Sequence, residues 1–121
     1  MPIVDIEIVL KPDEIIQSGM IAELADQLGE IFGSSNGGTW VKVNELPENH
    51  YAENGGKEEG VYPIIVSVLK SKLPPPEEMQ KEVEKITSAV AQICGRSSEN
   101  VHVIYQPEGK GRVAFGGKIV T

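Results

Sequence analysis

Sulfur, aromatic rings and positive charge are all scarce in this sequence, and each scarcity removes a class of function. One cysteine, Cys94, occurs in 121 residues, so neither an internal disulfide nor a thiolate metal cluster can form. Its place on the apolar stripe of a helix makes it a small buried hydrophobe and not a nucleophile. Aromatics make up 5% of the chain, and 18 acids outnumber 11 bases to give a formal net charge of −7. The bases gather into no stripe with aromatics between them, so no nucleic-acid partner is expected. No apolar run approaches the roughly 20 residues that span a bilayer, so no membrane partner is expected either. The first residues lack a basic segment and carry Asp5 and Glu7 inside their apolar stretch. They do not read as a secretory signal, and the expected location is cytoplasmic. No metal or cofactor is expected.

What the chain does have is the 40% apolar content of a globular protein and the length of one domain, residues 1–121. It also has an internal repeat. Pro2-Ile3-Val4 opens one half and Pro63-Ile64-Ile65 the other, 61 positions on; Gly55-Gly56 closes the first and Gly116-Gly117 the second, again 61 positions on. The halves are 2–60 and 61–121.

Residues 2–10 form a nearly continuous β-branched run, which predicts a strand covered on both faces. Ile16, Met20, Leu24, Leu28 and Ile31 then recur at helical spacing and Gly33 ends the stripe. Residues 39–46, TWVKVNEL, read as the next strand. The second half repeats the order: YPIIVSVLK as strand, Pro74-Pro75-Pro76 before a helix, then Met79, Val83, Ile86, Val90 and Ile93 as its stripe, with Gly95 as its stop. Residues 100–107, NVHVIYQP, form the returning strand, and the glycine-punctuated tail adds short pairing segments.

The fold class is α/β in the α+β sense: a duplicated βαβ unit giving a four-stranded mixed sheet. Right-handed crossovers put both helices on one face. The other face carries Asp5 and Glu7 among apolar residues and needs a cover, which a homo-oligomer provides; an internal two-fold repeat suits a trimer. Asp5 and Glu7 suit the wall of a polar channel within it.

These residues resemble the tautomerase superfamily, which includes 4-oxalocrotonate tautomerase and macrophage migration inhibitory factor. The resemblance rests on MPIVDIEIV, on the doubled βαβ plan, on TWVKVNEL followed by YAENGG, and on NVHVIYQPEGKGRVAFGG. It implies a homotrimer with sites between subunits and an amino-terminal proline as catalytic base, here Pro2 once Met1 is removed. An α-amino group titrates near pH 8, and an apolar pocket lowers that value, so a neutral amine is available at neutrality. Such a base takes a proton from carbon beside a carbonyl and returns it elsewhere.

The resemblance also places His102 on the strand where related proteins carry an active-site arginine or tyrosine; as a polar strand residue, His102 equally suits an interface or water. Lys70 and Lys72 fall where the family's carboxylate-binding arginine comes, and each reads otherwise as a solvated loop lysine. Arg112, one of the two arginines, stands in GKGRVAF as a substrate anchor or as surface charge. Tyr51 and Asn54 of YAENGG suit the orientation of a carbonyl oxygen, although Asn54-Gly55-Gly56 is also a turn signal. The resulting expectation is a tautomerase or isomerase acting on small anionic or carbonyl substrates, 2-keto or enol acids. The same amine suits hydration of an unsaturated acid. The alternative is a ferredoxin-like module, or a tautomerase-like chain without catalysis, that works through binding and oligomerisation.

Overall fold

The computed structural model describes residues 2–121. Strand β1 (Ile3–Val9) leads through helix α1 (Ser18–Phe32) to β2 (Trp40–Leu46); β3 (Ile64–Leu69) leads through α2 (Pro76–Cys94) to β4 (Val101–Tyr105). A two-residue-strand hairpin, β5 (Ala114–Phe115) and β6 (Lys118–Ile119), closes the described chain. The main sheet has the order β2-β1-β3-β4, with β1 parallel to β2, β3 parallel to β4, and the two central strands antiparallel. β3 and β4 begin 61 positions after β1 and β2, the spacing of the repeat in the sequence.

Both helices end where glycine allows a left-handed residue that a side chain would strain. Gly33 (φ +66°) and Gly95 (φ +67°) occupy these positions, and the Arg96 N–H closes the last turn of α2 on the Ala91 carbonyl at 2.9 Å. Pro76 starts α2, where its missing N–H has no helical partner to lose.

The core lies between the helices and one sheet face. Val4, Ile6 and Ile8 meet Ile64, Val66 and Val68 across the central strands, and Leu24, Leu28, Ile86 and Val90 press on them; all are fully buried. Each such side chain contributes about 1.5–3 kcal/mol by leaving water. Cys94 belongs to this core, and burial pushes its thiol up from the ordinary value, so it stays protonated.

Within one chain, β1 is covered on one face, the face that meets the helices. Its burial alternates as far as Ile8, with Val4, Ile6 and Ile8 inward and Glu7 exposed, and Val9 at its end is buried as well. The apolar run is continuous because Ile3, on the outward side, continues the inward set in sequence without sharing its environment. Trp40 and Ile104 stand on that outward face 51% exposed each, and Asp5 pairs across it with Lys42 at 3.1 Å.

Arg96, the residue after the glycine that ends α2, holds four segments together. The Arg96 side chain is 2% exposed. It donates from Nη2 to Glu14 Oε1 (2.7 Å) and to the Val9 carbonyl (2.8 Å), from Nε to the Tyr62 carbonyl (3.2 Å) and from Nη1 to the Cys94 carbonyl (2.9 Å). Its second contact to Glu14 completes a bidentate pair. The end of β1, the link before α1, the start of β3 and the end of α2 are thereby fixed to one guanidinium.

Candidate active site

Pro2 is buried, and its carbonyl accepts the Trp40 N–H at 3.0 Å. Ile3 is registered with Trp40 on one side and Leu69 on the other. Continuing both ladders by one position brings Pro2 level with Thr39 and Lys70. Met1, whose removal frees the Pro2 amine, lies outside the described residues.

The expected site residues divide between the two ends of the sheet. Lys70 and Lys72 follow the end of β3, beside Pro2. Arg112 reaches the same end because the segment after β4 folds back: the Gly109 N–H donates to the Lys70 carbonyl at 2.8 Å and the Lys110 N–H to the Ser71 carbonyl at 3.1 Å. His102, Tyr51 and Asn54 lie toward the other end. His102 is registered with Ile65 and, through it, with Glu7, four residues or about 13 Å along β1 from Ile3. It is exposed on the open face. Tyr51 and Asn54 sit in the link between β2 and β3, at the end where β1 finishes. The Tyr51 hydroxyl donates to Glu53 at 2.7 Å, and this bond, more than burial, raises its pKa. Asn54 precedes the positive-φ pair Gly55 and Gly56 in an exposed turn. Within one chain, therefore, three cations share Pro2's end, and the histidine, phenol and amide do not.

The three cations differ in what holds them. Lys72 is exposed. The Lys70 ammonium donates to Glu82 Oε1 at 2.9 Å and lies over the Phe32 ring, 5.1 Å from its centre. Lys70 and Glu82 are 19% and 13% exposed, and the other Glu82 oxygen accepts the Tyr105 hydroxyl. Burial first, then this carboxylate, pushes Tyr105 above the usual phenol range, so it remains a donor. The charge of Lys70 is thus balanced inside the protein. Arg112 instead donates to two backbone carbonyls, Glu108 (3.0 Å) and Pro107 (3.3 Å).

Gly109 sets that turn. A Cβ there would stand 3.0 Å from Val113 Cγ2 and 3.5 Å from the Lys70 carbonyl, so Gly109→Val is expected to lift the turn from β3. The expected loss is about 1–3 kcal/mol, read as a lower thermal midpoint; an unchanged midpoint would show that the turn is not docked as described.

Two clefts open near this end. The larger, about 700 Å³, lies at the end of α1 and is lined in part by Asp26, Glu30, Ser34 and Thr39. Its two acids and the carbonyl ends of the helix make it unfavourable for an anion. The smaller, about 330 Å³, opens on the outward sheet face beside Ile3 and includes Arg112.

No family model and no curated protein matches the sequence. Solved structures do match the fold. Pt0534, in a crystal structure of the protein inactivated by 2-oxo-3-pentynoate, superposes with a TM-score of 0.77 at 16% identity, covering 98% of this chain and 94% of that one. The Q0 fused 4-OT wild-type symmetric trimer gives 0.78 at 13% identity, covering 98% and 94%. The macrophage migration inhibitory factor of Trichinella spiralis gives 0.74 at 12% identity, covering 97% and 98%. The chain has the tautomerase fold.

The tautomerase fold puts Pro2 at the buried start of a central strand, and the doubled βαβ plan is present over the full described chain. Sequence reading missed Glu82 and Tyr105. The one signal for Glu82 was its place near the start of α2, within reach of the lysine that leaves β3. Among the described residues, no group of three or more His, Cys, Asp or Glu is arranged to hold a metal ion, and no helix is long and apolar enough to cross a membrane.

Proposed function

We propose that the protein is a tautomerase or isomerase of 2-keto or enol acids in which the free Pro2 amine is general base and acid. The observation that supports this reading most is the placement of Pro2: buried at the start of β1, at the sheet end that gathers Lys70, Lys72 and Arg112, in a chain of tautomerase fold. The pyrrolidine ring fixes the direction of the nitrogen lone pair. The nitrogen takes a proton from the carbon next to the carbonyl, negative charge moves to the carbonyl oxygen, and the protonated amine returns the proton at the same or a conjugated carbon. Cations at that end stabilise the developing enolate and hold a substrate carboxylate.

The active assembly in this reading is a homo-oligomer, as the symmetric trimer of fused 4-OT is. The half-exposed Trp40 and Ile104 of the open face are covered in it, and His102, Tyr51 and Asn54 of one chain face the Pro2 end of another.

The direct test is proton exchange at C3 of 2-oxobutanoate in heavy water, followed by NMR. Exchange well above the buffer rate, rising with pH as the amine loses its proton, is expected; exchange at the buffer rate would contradict the reading.

A further inference from the structure

We propose that the cleft at the carbonyl end of α1 binds a small organic cation bearing a guanidinium or primary ammonium group. The cleft lies on the helix side of the sheet, away from the open face. Its walls are α1, through Asp26, Gly29 and Glu30, and the loop that follows, through Ser34, Asn36 and Thr39. Its volume of about 700 Å³ is within the range of small-molecule sites.

The residues that line it go against what a helix alone favours. Asp26 and Glu30 stand four apart on one face, where like charges repel, and toward the carbonyl end, where the helix dipole disfavours acids. Among the described residues, neither carboxylate is paired with a cation. Gly29 stands between them, and glycine weakens a helix relative to alanine. Its backbone is helical and outside the left-handed region, so no turn requires it. A Cβ there would meet nothing within 4 Å, so no close approach requires it either. What the missing side chain leaves is the floor of the cleft.

The second half of the repeat supplies an internal control. The Gly29 carbonyl accepts the Ser34 N–H at 2.9 Å as the Ala91 carbonyl accepts the Arg96 N–H at 2.9 Å, so the two helix ends correspond, with Gly29 in the place of Ala91 and Ser34 in the place of Arg96. At the end of α2, Ala91 is packed to 5% exposure, and two cations meet the carbonyls: Arg96 Nη1 at Cys94 and Lys11 Nζ at Gly95, each at 2.9 Å. The end of α1 has neither the methyl group nor a bound side-chain cation among the described residues. It has open space and two acids. A cation with N–H groups supplies the missing charge and finds acceptors in both carboxylates, in the Asn36 amide oxygen, and in the Ser34 and Thr39 hydroxyls, which bond each other at 2.6 Å and keep further lone pairs. A quaternary ammonium brings the charge without the donors.

Titration of the ¹⁵N-labelled protein with propylguanidinium chloride, against sodium chloride at the same ionic strength, tests the site without any catalytic step. Saturable shifts are expected at the Glu30, Ser34, Asn36 and Thr39 amides, with a clearly weaker affinity for tetramethylammonium. Joint replacement Asp26→Asn and Glu30→Gln is expected to weaken propylguanidinium binding about tenfold. Gly29→Leu, which fills the cleft and keeps both acids, is expected to weaken it as much. Neither variant is expected to melt below wild type, because one removes a like-charge pair and the other a helical glycine; the thermal midpoint thus separates lost binding from lost folding. Shifts that do not saturate or that lie away from the cleft, equal affinity for tetramethylammonium, or wild-type affinity in either variant overturn the assignment.

Discussion

Pro2→Ala is expected to slow C3 proton exchange in 2-oxobutanoate by about 10²-fold or more, with little change in the half-saturating concentration, because a positioned acid or base typically contributes 10²–10⁴. Alanine replaces the secondary amine with a primary one, still an α-amino group that titrates near pH 8, so the loss isolates what the ring supplies. In proline the nitrogen is locked to the strand by its own side chain, and that strand is pinned on both sides, to Trp40 by the bond from its N–H and to Leu69 by register. A primary amine rotates freely, and its lone pair spends little time along the line to the substrate carbon. The effect falls on kcat, since in the proposed mechanism the ring nitrogen moves the proton and does not hold the carboxylate. A chain that retains any residue before Pro2 has an amide nitrogen there, without a basic lone pair, and is expected to lose the reaction altogether. Equal rates for Pro2→Ala and wild type would contradict a catalytic role for the ring nitrogen.

The second large effect is on stability. Arg96→Met is expected to cost about 3–5 kcal/mol, the range for breaking a buried ion pair by removing one partner, and to lower the thermal midpoint by roughly 10–20 °C. Three backbone carbonyls, Val9, Tyr62 and Cys94, lose a donor at the same time. Glu14→Gln breaks the same pair from the other side, and its pH dependence is diagnostic. The Arg96 hydrogen bond holds the Glu14 carboxyl below the ordinary carboxylate range, with burial opposing it. Because the folded value is the lower one, this stabilisation is fully present above the unfolded pKa of about 4.3 and disappears as pH falls through the folded value. Wild type is therefore expected to lose stability below about pH 4 more steeply than Glu14→Gln. Chemical denaturation across that range reads the difference; parallel curves, or an Arg96→Met midpoint within a few degrees of wild type, would show that the pair is not a structural tie.

The fold was legible because two signals agreed. Helical stripes ending in Gly33 and Gly95, and punctuation repeating at 61 positions, both survive any tertiary context that forms two βαβ halves. What the run hid was the face each residue takes. Ile3 interleaves with the core set Val4, Ile6 and Ile8, and a run of apolar letters does not say which members meet the helices of the same chain and which lie on the opposite sheet face. The candidate site residues were legible, but not their grouping. Pro2, Lys70, Lys72 and Arg112 come to one end because the strand directions bring them there. His102, Tyr51 and Asn54 go to the other, and a single sequence cannot distinguish a residue that meets its partner within the chain from one that meets it across a subunit boundary. Arg96 and Glu82 were hidden for another reason. Their partners, Glu14 at 82 positions and Lys70 at 12, are brought close only by the packing of α2 against the sheet, and an arginine after a helix or a glutamate within one looks like ordinary surface charge.

The claim that everything else depends on is a free, basic nitrogen at Pro2. Incubation with 2-oxo-3-pentynoate, the compound that inactivated Pt0534, followed by peptide mass mapping, tests it at that atom. The nitrogen bonds to C4, the triple bond becomes a double bond, and the N–H proton ends on C3, so the adduct retains every atom of the reagent. One equivalent on the Pro2 nitrogen, with loss of proton exchange in step with labelling, is the predicted result. An unmodified Pro2 in a chain shown by mass to begin at that residue, or full exchange activity after complete labelling, would contradict the account.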